Sequence, residues 1–138
     1  MSYICIGFRY NGCRYNEVRN INIMGENSGI VLTEAVYYIL LSLPSPLHGY
    51  GIMQKIEDMT DGRLIISAGT LYGAINTLLE RGWIKQHATT EDSRRKEYVI
   101  TDEGKNVVKA ELERLRELVE HGEDALAKFK FSLSITFG

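Results

Sequence analysis

From Val108 to Phe129 the residues Val108, Leu112, Leu115, Val119, Gly122, Leu126 and Phe129 advance by alternating steps of four and three. Residues at that spacing fall on one line only in a helix. The line is two residues wide in every seven over about three repeats, narrower than the face a helix turns toward its own core. It has the form of a seam between two helices. Val108, Leu112, Leu115, Val119 and Leu126 are therefore the expected dimerisation residues, and a second copy of the chain is the expected partner. Packing within one chain is the alternative.

The segments ahead of this helix are short and sharply punctuated. In "LTEAVYYILLSL" Thr33 is placed to cap a helix whose Ala35, Val36, Ile39, Leu40 and Leu43 share a face. Pro44 and Pro46 restrict the residues before them and stop it. "GYGIMQKIEDM" predicts a second helix, with Ile52, Ile56 and Met59 inward, and "TDGRLIIS" predicts a turn into a brief strand. Ser67 then caps a third helix over 68–82, with Leu71, Ile75, Leu78 and Leu79 toward the core and Gly82 at its C-terminus. "WIKQHAT" and "KEYVIT" around the polar "TEDSRR" predict a β-hairpin. Thr101 caps the long helix, with Asp102 and Glu103 in its first turn.

Three helices, a hairpin and a closing helix make a mainly α fold with a small β-hairpin wing (α+β): a winged helix-turn-helix with a long C-terminal dimerisation helix. Residues 1–29 are expected to be an N-terminal extension and 30–101 the winged-helix unit. Residues 102–130 are expected to be the dimerisation helix and 131–138 a tail. The alternation of Phe129, Phe131, Leu133, Ile135 and Phe137 suggests a strand there, with the opening "MSYICIGFRY" a candidate to pair with it.

The third helix is weak on one side only. Its outer face is Gly69, Thr70, Gly73 and Thr77, with Asn76 at the margin, and each interior glycine costs about 1 kcal/mol relative to alanine. A helix entering a major groove about 12 Å wide needs such a face, because bulky side chains would hold it off the base edges. Thr70, Asn76 and Thr77 supply short donors and acceptors there. Ser67 and the helix N-terminus offer backbone N–H groups to phosphate. The hairpin adds Arg94, Arg95 and Lys96 in sequence, suited to a phosphate backbone or an adjacent minor groove. Tyr50, Lys55 and Tyr72 are further phosphate candidates. Glycines that permit close helix–helix packing, and cations that are merely a solvated turn, are the plainer readings of the same residues.

Charge agrees in distribution rather than in total. The formal net charge is −2. Between Arg63 and Ile100, six cations (Arg63, Arg81, Lys85, Arg94, Arg95, Lys96) face four acids (Glu80, Glu91, Asp92, Glu97), a local net of +2. From Asp102 to Asp124 the balance is −4, with eight acids against four bases. A basic middle before an acidic helix permits one basic face. That modest surplus is also what favours a winged-helix protein–protein interaction module as the alternative function.

Three strings carry a resemblance. "HGYGIMQKI" (48–56), "GTLYGAINTLLERGWI" (69–84) and "DSRRKEYVITDEG" (92–104) resemble the PadR family of transcriptional regulators, over about Leu32 to Glu123. The resemblance implies a homodimeric winged-helix repressor whose C-terminal helix dimerises and whose third helix and wing hold double-stranded operator DNA. It assigns Thr70, Tyr72 and Asn76 to the recognition helix, and Arg94 with Lys96 to the wing. Many members have proline where this chain has Gly73. Some respond to phenolic compounds or flat aromatic drugs bound between subunits, which implies a tryptophan on the dimerisation helix. "EGKNVVKAELERLRELVEHGEDAL" has no aromatic residue, so any small-molecule effector is unknown; Tyr37 and Tyr38 mark where its pocket would be, against a plainer role in the core. Trp83, the single tryptophan, is expected in the core.

Other classes find little to stand on. No phosphate loop, nucleophile elbow or paired-carboxylate arrangement is present, so an enzyme is not expected. Cys5 and Cys13 lack a second ligand pair, and His48, His87 and His121 follow no ligand spacing, so neither metal nor cofactor is expected. No apolar run reaches the roughly 18–20 residues that cross a bilayer, and the N-terminus does not read as a signal peptide. A cytoplasmic location without membrane association is expected.

Overall fold

The computed structural model describes residues 30–88 and 95–137, with side chains to residue 130. The expected N-terminal strand and the turn containing Arg94 lie outside the described residues.

Helix α1 (Glu34–Ser42) starts where Thr33 Oγ1 accepts from the Val36 N–H at 3.3 Å. It buries Val36, Ile39 and Leu40, and Leu43 beyond its end is fully enclosed. A two-residue strand β1 (Leu47–His48) follows the prolines, and α2 (Gly49–Met59) inserts Ile52 and Ile56 into the same core. Met59 does not join them. It is the last residue of α2 and 44% exposed, one step past the cover of the core.

Thr60, Asp61 and Gly62 turn the chain, the latter two at positive φ of 49° and 76°. The brief strand expected after this turn is absent. Leu64 and Ile66 pack inward while Ile65 is 73% exposed, but no neighbouring strand offers a ladder. The third strand of the sheet is β1 instead.

Helix α3 (Ala68–Glu80) is anchored by Leu71, Ala74, Ile75 and Leu78. It ends two residues earlier than predicted. Trp83 N–H donates to the Leu78 carbonyl and Gly82 N–H to Leu79, both at 3.0 Å, with Gly82 at φ 71°. This paired C-terminal arrangement needs a left-handed residue, which glycine adopts without steric cost. It turns the chain directly into β2 (Ile84–His87), antiparallel to β3 (Glu97–Ile100). The sheet order is β1-β3-β2, with Leu47 opposite Tyr98 and His48 opposite Glu97 on one side of β3.

Helix α4 (Asp102–Phe137) is tied to the wing at its first turn. Thr101 Oγ1 donates to the Gly82 carbonyl at 2.6 Å and accepts from Gly104 N–H at 3.1 Å. A Cβ on Gly104 would overlap the Trp83 carbonyl and lie 2.8 Å from Ile100 Cγ1, so only glycine fits. Val107 and Glu111 are buried, and Val108 is packed against the core. The Glu111 carboxylate, 2% exposed, takes both bonds of the Arg114 guanidinium, one of them Nε–Oε2 at 2.8 Å. Trp83 is in the core as expected, and Tyr37 and Tyr38 pack at its margin with ring centroids 6.2 Å apart.

At 36 residues α4 is roughly 54 Å long, well beyond the reach of this small core. Leu112, Leu118, Val119, Leu126 and Phe129 are exposed along it. The tail expected to form a strand continues as helix to Phe137. An alternating pattern makes a strand only beside another strand, whereas a helix satisfies its backbone alone, and no glycine or proline interrupts residues 123–137.

Candidate nucleic-acid interface

Ser67 sets the geometry of the exposed helix. Its Oγ accepts from the Thr70 N–H at 3.3 Å and donates to Thr70 Oγ1 at 3.0 Å, fixing the first turn. The inward pattern of Leu71, Ala74, Ile75 and Leu78 then leaves Gly69, Thr70, Gly73 and Asn76 outside. Among the described residues, nothing lies within 4 Å of where a Cβ would stand on Gly69 or Gly73. These two glycines therefore pack against no other described part of the chain. Thr77 is half-buried, with its hydroxyl donating back to the Gly73 carbonyl at 3.2 Å.

Beside this face is a groove of about 480 Å³. His48, Gly49 and Tyr50 form one wall, Tyr72 of α3 another, and Arg95, Lys96 and Tyr98 of the wing the third. The register of β1 on β3 produces the junction, because pairing His48 with Glu97 brings the start of α2 against the base of the wing. Tyr72 reaches across so closely that a Cβ on Gly49 would stand 2.6 Å from its hydroxyl. Tyr50 is exposed, its hydroxyl accepting from Gln54 Nε2 at 2.9 Å. Burial, with a smaller contribution from Tyr72, pushes the Tyr98 phenol above its ordinary range.

The sequence-derived residues thus divide. Tyr50, Tyr72, Arg95 and Lys96 converge on the groove; Ser67, Gly69, Thr70, Gly73, Asn76 and Thr77 line or edge the adjoining α3 face. Lys55 does not join them. Its Nζ donates to the Ser42 carbonyl at 2.9 Å, using the cation to satisfy the C-terminus of α1. His48, Gly49 and Tyr98 were missed. The first two stand in the "HGY" string, but only the β1–β3 pairing, invisible in a two-residue strand, shows that they meet Tyr98.

A family model described as transcriptional regulator PadR-like family matches residues 38–110, which include α2, α3, both hairpin strands and the start of α4. The chain belongs to the PadR-like family. A transcriptional regulator from Clostridium thermocellum is similar, at 30% identity and a TM-score of 0.53, over 70% of this chain and 91% of that one. A PadR family transcriptional regulator from Eggerthella lenta is 29% identical over 67% of this chain and 80% of its own, also at 0.53. A PadR family regulator from Clostridium difficile shares the fold at 22% identity and a TM-score of 0.58, over 68% and 99%. No curated protein sequence matches. The PadR-like winged-helix fold with a long C-terminal helix is therefore the architecture of this chain, and transcriptional regulation its family's role. Among the described residues, no helix is long and apolar enough to cross a membrane.

Proposed function

We propose that this PadR-like chain is a homodimeric, sequence-specific DNA-binding repressor. Helix α3 reads the major groove, and the wing over residues 89–96 holds the phosphate backbone or the neighbouring minor groove. One observation carries the reading: the side-chain-poor face of α3 meets open space beside Arg95 and Lys96. A helix that gives up about 1 kcal/mol at Gly73 and gains no packing by it has kept that face lean for something outside the chain. Base edges and phosphates are the chemistry that short polar side chains and two flanking cations fit.

Pairing through α4 supplies the second half. The exposed Leu112, Val119 and Leu126 continue the line begun by the half-buried Val108 and Leu115, and a twin helix buries them. Two such units present two α3 helices to half-sites about one DNA turn apart, roughly 34–36 Å. Occupying a promoter in this way blocks transcription.

Selection of genomic fragments with the purified protein, followed by gel shift at physiological salt, tests the reading. Recovery of a sequence with repeated half-sites, together with lower expression from a promoter carrying it, is the expected result. A protein that captures no sequence above background and shifts no duplex would remove DNA from its function.

A further inference from the structure

Sheet register sets three titratable side chains in one row. Glu97 of β3 is the direct partner of His48 on β1 and of His87 on β2. Residues directly opposite one another in an antiparallel sheet point to the same face, with Cβ atoms about 4.5–5.5 Å apart. The row therefore reads His48, Glu97, His87 across all three strands, one carboxylate between two imidazoles. It is the row at the base of the wing, since Arg95 and Lys96 lead directly into Glu97. His48 and Glu97 are half-buried and His87 is exposed. Glu97 forms no ion pair with another described residue, and His48, at the N-cap position of α2, makes no capping bond. Among the described residues no group of His, Cys, Asp or Glu is placed to hold a metal ion, so the small ligand suited to the row is the proton.

Histidine is the side chain whose charge changes between about pH 5 and 8. With both imidazoles neutral the row carries −1, from Glu97; with both protonated it carries +1. That reversal takes place beside the groove that Arg95 and Lys96 line. His48 faces Glu97 across the sheet, Tyr50 along α2 with ring centroids 6.4 Å apart, and Tyr72, Tyr98, Arg95 and Lys96 around the groove. His87 faces Glu97 and shares its strand face with Lys85, which is within electrostatic reach of Asp102 on α4. In the free protein Lys85, Arg95 and Lys96 oppose added positive charge here, against the attraction of Glu97. A duplex phosphate laid along the wing base removes that opposition. We propose that the row of His48, Glu97 and His87 makes DNA binding proton-linked, so that acidification through the histidine range reverses the charge of the wing base and tightens its hold on the duplex. The proposal rests on the DNA-binding reading and adds a regulatory input to it. The linkage is reciprocal: DNA draws protons onto the row, and protons strengthen the binding of DNA.

Fluorescence anisotropy of a duplex recovered by selection, at fixed ionic strength from about pH 8 to about pH 5.5, reads the linkage. Wild type should bind roughly tenfold more tightly at the acid end, a typical size for coupling between two ligands. Its salt slope should be steeper there by about one to two, because added cations release added counterions. His87→Gln keeps a polar side chain and should lose about half of the pH effect. His48→Gln combined with His87→Gln should lose all of it, whatever the affinity at the alkaline end. His121→Gln, roughly 28 Å along α4 from Asp102, should keep it. Thermal melting at both ends of the range checks that each variant is folded. Calorimetry in buffers of different ionisation enthalpy should record proton uptake when wild type binds and none when the double variant does. A wild type that binds the duplex with a flat pH profile, or a double variant that keeps the slope, overturns the switch while DNA binding stands. Loss of the slope in His121→Gln would assign it to α4 and overturn the switch likewise. If wild type binds no duplex anywhere in the range, the parent reading fails first.

Discussion

Gly73 separates a packing residue from a DNA-facing one by the sign of a single measurement. It lies in the interior of α3, and an added Cβ meets no described residue within 4 Å. Alanine there removes backbone freedom from the unfolded chain and improves helix propensity, with no clash to offset either. Gly73→Ala should therefore stabilise the free protein by about 0.5–1 kcal/mol. For a folded unit of this size that raises the melting midpoint by about 2–5 °C at fixed protein concentration. Affinity for the selected duplex should move the opposite way, and Gly73→Leu should weaken it further by holding α3 off the groove floor. Differential scanning calorimetry and fluorescence anisotropy read the two quantities on the same preparation. A lower midpoint for Gly73→Ala would mean that the position is covered, and unchanged DNA affinity in Gly73→Leu would mean that this face is not the contact. Either result refutes the explanation for the glycines.

Four further outcomes follow from other parts of the molecule. Light scattering at micromolar concentration should give twice the chain mass, and Val119→Glu with Leu126→Glu should give monomers, since each exposed apolar side chain covered in a pair contributes about 1.5–3 kcal/mol. Arg95→Ala and Lys96→Ala together should weaken binding to all sequences alike and flatten its salt dependence, as a gel shift across ionic strengths will show. Gly104→Ala should destabilise the fold by about 1–3 kcal/mol and lower the melting midpoint accordingly, because the methyl collides with the Trp83 carbonyl. The Arg63 ion pair holds the Glu34 carboxylate below its ordinary pKa of 4.5, so the pair's contribution is present above that value and is lost as pH falls through the depressed one. Glu34→Gln should flatten the acid limb of a melting-midpoint profile.

The sequence makes the fold's local decisions readable where one residue settles them. Thr33, Ser67 and Thr101 each cap a helix through a hydroxyl three residues ahead of the N–H it satisfies, and Gly82 takes the positive φ that ends α3. Decisions that need a distant partner are not readable in the same way. The run after Gly62 has strand composition but no strand beside it, while Leu47 and His48 have no strand signature and pair with β3. Lys55 reads as a free cation until α1 brings the Ser42 carbonyl to it. The same reasoning explains the groove: the α3 face follows from helical periodicity, but the meeting of Gly49 with Tyr72 and of His48 with the base of the wing depends on sheet register alone.

That register also bears on how a dimer would hold its DNA. Thr101 joins β3 to α4 without a loop, bonding to the Gly82 carbonyl on one side and to Gly104 N–H on the other. The Gly104 backbone sits hard against Trp83, and Glu111 is buried with its Arg114 pair one turn past Val107. Removing one partner of a buried pair leaves an uncompensated charge, at about 3–5 kcal/mol. Three consecutive turns of α4 are thus fixed to the wing and core by contacts that do not tolerate small shifts. In a pair joined along the outer part of α4, a rotation at the seam is then transmitted to both wings as rigid-body movement. The spacing of the two half-sites would be set at Val119 and Leu126, far from any base, and a substitution there that preserves pairing but alters the crossing of the helices should change the preferred spacing while leaving the half-site sequence alone.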